Sequence, residues 1–196
     1  MIPALFLIIA AVLYRIAVTL AVGHGGSFWF SNFAPLAAIA LCSAIYFPKK
    51  YKFTVPFAAL LVSDLVLDLY YRASLADPLM LCRYGAFALV GLLGLMISRR
   101  ASLKTIIPAS LAGSALFYFV TNFFSWLGDP GYVKNFAGLI QSLTVGLPQY
   151  SATPTWMFFR NSLVSDLIFT LLFVACVRWS AAAERRSAVV ARPLPN

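Results

Sequence analysis

With 196 residues, 62% of them hydrophobic and only 11% charged, the chain is too apolar for a soluble domain of its length. The formal charge of +9 does not point to nucleic acid, because the basic residues lie in short connections and near the C-terminus, with no soluble domain to present them. Cys42, Cys82 and Cys176 fall in separate apolar segments without CxxC spacing, so neither a zinc site nor a disulfide framework is indicated.

The apolar segments approach the ~20 residues a helix needs to cross a hydrocarbon core of ~30 Å. A transmembrane barrel would show alternating segments of about 10 residues instead. The expected fold is therefore an all-α membrane protein with six transmembrane helices, over residues 2–22, 33–47, 53–71, 79–97, 105–126 and 161–179. Residues 1–180 form one domain, and residues 181–196 read as a polar, mobile cytoplasmic tail. The first segment lacks a basic leader and carries Arg15 in its apolar run, which favours a retained span over a signal peptide.

Charge orders the connections. Lys49, Lys50 and Lys52 follow the second segment, Arg99, Arg100 and Lys104 the fourth, and Arg178, Arg185, Arg186 and Arg192 the sixth. Six crossings put these on one face, which the positive-inside rule makes cytoplasmic, with both termini there. The opposite connections are a Gly- and aromatic-rich stretch from His24 to Asn32, a short turn over 71–78, and a long loop over 127–160 of the length expected of a lid.

On this topology Arg15, Asp64, Asp68, Arg83 and Asp166 all lie on the outer side of the midplane, which suggests a polar chamber open outward above a sealed floor. The pentapeptide Leu-Val-Ser-Asp-Leu occurs twice, ending at Leu65 and Leu167. A membrane-embedded aspartate marks an ion pair, an ion path or a binding site. Here Arg15, Arg83 and Arg160 are the available partners for Asp64 and Asp166 as structural ion pairs; a proton- or cation-relaying carboxylate is the sharper alternative. Asp64 and Asp68 are four apart and share a helical face.

Cys82 opens the sequence Cys82-Arg83-Tyr84, one turn into the fourth segment, with Asp68 and Tyr71 at the outer end of the preceding one. A lone membrane cysteine is ordinarily a small hydrophobe. A neighbouring guanidinium favours the thiolate, a nucleophile and a soft metal ligand. His24 is the sole histidine. One histidine and one cysteine cannot complete a three- or four-ligand protein site, so a metal bound here would arrive inside a cofactor that supplies the other ligands.

Asn32-Phe33-Ala34-Pro35-Leu36-Ala37-Ala38, the run Pro56 to Asp64 (PFAALLVSD), and the run Phe159 to Asp166 (FRNSLVSD) resemble the substrate-binding S-components of energy-coupling-factor (ECF) vitamin transporters. Within that superfamily the chain is most similar to the BtuM group of cobalamin transporters. The resemblance spans residues 2–179 and implies a six-helix bundle in a bacterial inner membrane that imports cobalamin (vitamin B12). It further implies that a cysteine ligates the cobalt and assists removal of cyanide from cyanocobalamin. Cys82, the one cysteine on the outer side, inherits that role.

The corrin is then expected in the outer chamber, covered by Phe28, Trp29, Phe30, Tyr132, Tyr150 and Trp156, with Arg83, Tyr84, Asp68 and Tyr71 bonding its amides or tuning Cys82. The lipid bilayer, an ECF energising module and a periplasmic cobalamin-binding protein are the implied partners; nucleic acid is not. Small residues four apart at Ala17 and Ala21 have the spacing used to dock a coupling subunit, and equally that of ordinary helix packing. Two alternatives stay open: an S-component for another small vitamin with Cys82 incidental, and a membrane enzyme using the outer acids.

Overall fold

The structure is a computed structural model that describes residues 2–24, 32–72 and 78–190. Seven helices run through these residues: α1 Ile2–Gly23, α2 Leu36–Tyr46, α3 Thr54–Tyr71, α4 Pro78–Ile97, α5 Leu103–Gly128, α6 Phe136–Leu143 and α7 Thr155–Val190. Five of them, α1, α3, α4, α5 and α7, are long and apolar enough to cross a membrane.

The second expected span takes a different form. Pro35 has no N–H to give and precedes the first helical residue, so α2 starts at Leu36 rather than 33. At its other end Pro48 follows Phe47, and Lys52 donates its ammonium to the Ala44 carbonyl, 2.5 Å away. Eleven residues rise only roughly 16 Å, about half the hydrocarbon core. Ala37 to Ile45 are all buried, and α2 packs against α3, α4, α5 and α7. It is a central peg, continued at its N-terminal end by the non-helical residues Phe33 to Pro35.

Close approach fixes α2 against α4. A Cβ at Gly94 would stand 2.6 Å from the Leu41 carbonyl oxygen, so only glycine lets the two backbones meet. On α1, Ala4, Ile8 and Ala11 form the buried stripe, and Arg15 continues that stripe one turn on. The same face thus passes from apolar packing to charge halfway along the helix.

α7 runs to Val190, beyond the expected end at 179, and takes up residues 181–190 of the expected tail. Ala181 to Ala183, Glu184, Arg185 and Arg186 are good helix formers. Thirty-six residues rise roughly 54 Å, well beyond a bilayer core. The 127–160 loop is also more ordered than a plain lid. Asn135 caps α6 by accepting the Gly138 N–H at 2.9 Å, Tyr118 on α5 donates to Leu143 at 2.8 Å, and Trp126 Nε1 donates to Val133 at 2.9 Å. Lys134 adds bonds to the carbonyls of Trp126 and Asp129.

Candidate functional site

The C-terminal ends of α1, α3 and α5 and the N-terminal ends of α2, α4 and α7 meet at one end of the bundle, opposite the basic turns after α2 and α4. Two adjoining cavities open there. One, of about 260 Å³, is lined by Cys82 and Arg83 of α4, Ser114, Tyr118 and Asn122 of α5, and Asp166 of α7. The other, of about 340 Å³, is lined by Arg15 and Thr19 of α1, Leu67 of α3, and Arg83. Asn32, Ala34, Leu36, Arg83, Phe117 and Thr121 border both. Non-helical backbone at membrane depth is tolerated where it lines a cavity or is buried in protein, which is where the broken approach to α2 lies.

Asp64 is the hub of the charged wall. Its side chain is fully buried, and Oδ1 accepts Arg15 Nη2 at 2.6 Å and Arg83 Nη1 at 3.0 Å. Arg15 also donates to the Ser63 hydroxyl. The expected ion pairing therefore holds for Arg15 and Asp64, with Arg83 as the third member. Three helices are tied by one carboxylate, while its Oδ2 is buried without a partner among the described residues.

The pairing expected of Asp166 with Arg160 is corrected. Asp166 accepts the Ala38 N–H at 2.8 Å through Oδ1 and the Ser114 hydroxyl at 2.8 Å through Oδ2. Pro35 leaves α2 without a side-chain cap of its own, and Asp166 supplies that cap from another helix. Arg160 donates to the adjacent Asn161 Oδ1 at 3.2 Å and 3.0 Å and lies over the Trp156 ring. It enters α7 almost two turns before Asp166 and is engaged locally.

The cargo-facing residues expected from sequence divide in the same way. Cys82 lines the cavity, half-buried, its thiol donating weakly to the Val120 carbonyl at 3.7 Å. Arg83 lines both cavities, but its charge is directed at Asp64. Tyr84 turns to the opposite face of α4, its ring 5.9 Å from Phe57 and its hydroxyl buried without a partner among the described residues. Tyr71 donates to the Thr19 carbonyl at 3.0 Å and pins α3 to α1. Asp68 is half-buried away from both cavities. Tyr132 is buried within its loop, whereas Tyr150 and Trp156 are exposed, and none of the three lines the chamber. Phe28, Trp29 and Phe30 lie outside the described residues. His24 places Nδ1 2.8 Å from the Leu20 carbonyl and Nε2 2.9 Å from the Tyr70 hydroxyl, a bridge from α1 to α3 rather than a cavity group.

Sequence reasoning missed the α5 wall. Ser114, Tyr118, Thr121, Asn122 and Ser125 all line the cavity containing Cys82. Their spacing of three, four and seven residues is a polar stripe on one face of an otherwise apolar helix, a signal the sequence carried. Thr121 donates to the Phe117 carbonyl at 2.9 Å and Asn122 to the Tyr118 carbonyl at 2.9 Å, and each keeps a side-chain oxygen able to accept.

Five helices long and apolar enough to cross a membrane, in a bundle that is all-helical among the described residues, fit a multi-pass membrane protein with a chamber at one end. The chain belongs to the DUF6580 family, a family of unknown function, which it matches over residues 1–189. No curated protein and no solved structure matches it.

Proposed function

We propose that this protein is a solute-binding membrane transporter of the ECF S-component kind, and that its cargo is cobalamin. The observation that supports the reading most is the position of Cys82: the one cysteine bordering the chamber offers a soft sulfur ligand to a cargo metal. The cargo would enter from the end opposite the basic turns, which the positive-inside rule assigns to the outer side of a bacterial inner membrane.

In this reading the thiol leaves its weak bond to the Val120 carbonyl and takes an axial cobalt position. Displaced cyanide departs with the thiol proton as hydrogen cyanide, so the exchange balances without a redox step. Phe117 and Phe158 give the ring apolar contact, while Thr121 and Asn122 accept hydrogen bonds from corrin carboxamides.

Cavity size favours a second reading. Volumes of about 260 and 340 Å³ sit at the low end of the roughly 300–1,000 Å³ range of small-molecule sites, and a whole corrinoid is larger. Only part of a corrinoid would enter, the rest filling the mouth; a smaller vitamin would fit entirely, with Cys82 incidental. Purified wild-type protein and Cys82→Ala, each titrated with cyanocobalamin, separate the two. A shifted corrin absorption spectrum that the substitution abolishes supports cobalt ligation. Identical spectra and affinities in both proteins favour the smaller cargo.

A further inference from the structure

We propose that the second cavity, between α1 and α4, is an anion subsite that takes a phosphate or carboxylate group through Arg83 and Arg15. This rests on the chamber being a cargo site but does not require the cargo to be a corrinoid.

The side chains bordering this cavity include two guanidiniums and no carboxylate. Asp64 stands behind them with its side chain fully buried, so it fixes the arginines without facing the space they border. The three groups leave one positive charge uncompensated. Asp68 borders neither cavity, and Asp166, across the neighbouring cavity, is already held by Ala38 and Ser114.

Arg83 carries five N–H donors, of which only Nη1 is engaged by Asp64. No bond engages its remaining donors among the described residues, and its side chain is 30% exposed along the cavity it borders. A planar fork of this kind matches the oxygens of a phosphate or carboxylate in two parallel bonds. Thr19 and Thr121 give their hydroxyl protons to their own backbone, to the Arg15 carbonyl at 2.8 Å and the Phe117 carbonyl at 2.9 Å, which leaves the guanidiniums as the donors for an anion here. Asn32, held at φ 58 on the border of both cavities, brings an amide to the same rim.

The test uses the purified full chain in detergent at constant ionic strength, titrated with inorganic phosphate and with acetate, and followed by thermal midpoint and calorimetry. Wild type should be stabilised by at least one of the two anions. Arg83→Gln, which leaves the Arg15–Asp64 pair in place, should weaken that response about tenfold or more. Arg83→Lys should keep part of it, since charge survives and the fork does not. If wild type and Arg83→Gln respond alike to both anions, the proposal is overturned.

Cyanocobalamin and cobinamide, which lacks the nucleotide phosphate, identify the source of the anion. Tighter binding of cyanocobalamin that Arg83→Gln abolishes assigns the anion to the cargo. Equal binding alongside an Arg83-dependent phosphate response assigns the subsite to a free anion. A phosphate response with neither corrinoid bound upholds the subsite and contradicts the cobalamin reading.

Discussion

Asp64 and Asp166 occupy the same position of the same pentapeptide and do different work. Asp64 pairs with both Arg15 and Arg83 through one oxygen and offsets one of their two positive charges. Asp166 accepts a backbone N–H and a hydroxyl. Asp64→Asn removes the buried carboxylate that holds the part-buried Arg15 and the 30% exposed Arg83, and breaking the more buried Arg15 pair costs about 3 kcal/mol. Asp166→Asn still offers an oxygen to Ala38 and loses mainly the ionic part of a capping bond, a cost of about 1 kcal/mol. Thermal unfolding of the two variants in detergent checks the order; equal losses would show that both carboxylates serve as ion pairs. Sequence made the acids visible as costly groups and the Arg15–Asp64 pair legible by depth. It could not separate the two roles, because the partner of Asp166 is a backbone N–H exposed by Pro35, a feature of chain path rather than of any side chain.

At the scale of elements, α2 organises the bundle. Its residues are small and apolar on all sides, so sequence read it as a short span; the structure makes it a buried peg that other helices surround. Pro35 at its start and Gly94 on its neighbour were the legible clues, but which helix Gly94 meets is a tertiary fact. Gly94→Val would force branched carbon against the Leu41 carbonyl and should destabilise the protein by about 1–3 kcal/mol, read as a lowered thermal midpoint. Gly85, where added carbon meets nothing within 4 Å, is the control: Gly85→Ala should be neutral or slightly stabilising. The α5 stripe was equally legible by its spacing. It went unread because each of its residues is individually unremarkable for a membrane helix, and only the shared face marks it as a wall.

For the molecule as a whole, charge and polarity divide the bundle into two ends. Basic turns after α2 and α4 mark one end, and the chamber marks the other. The long apolar helices and this asymmetry were legible from composition and the placement of Lys and Arg. Chamber shape was not, because it depends on which faces of six helices converge. A cysteine placed at Lys50 should react with membrane-impermeant maleimide only from the cytoplasmic side, and one placed at Val133, which is exposed near the chamber end, only from outside. Reversed accessibility would invert the topology and the direction of transport.

Protection of Cys82 from modification tests the central claim most directly. In intact cells expressing a variant that keeps Cys82 and carries serine at Cys42 and Cys176, an impermeant maleimide applied outside should label the protein. Cyanocobalamin at saturating concentration should block that labelling. A Cys82 that reacts equally with and without cyanocobalamin, or only after the cytoplasmic side is opened, would contradict an outward chamber that holds this cargo against its thiol.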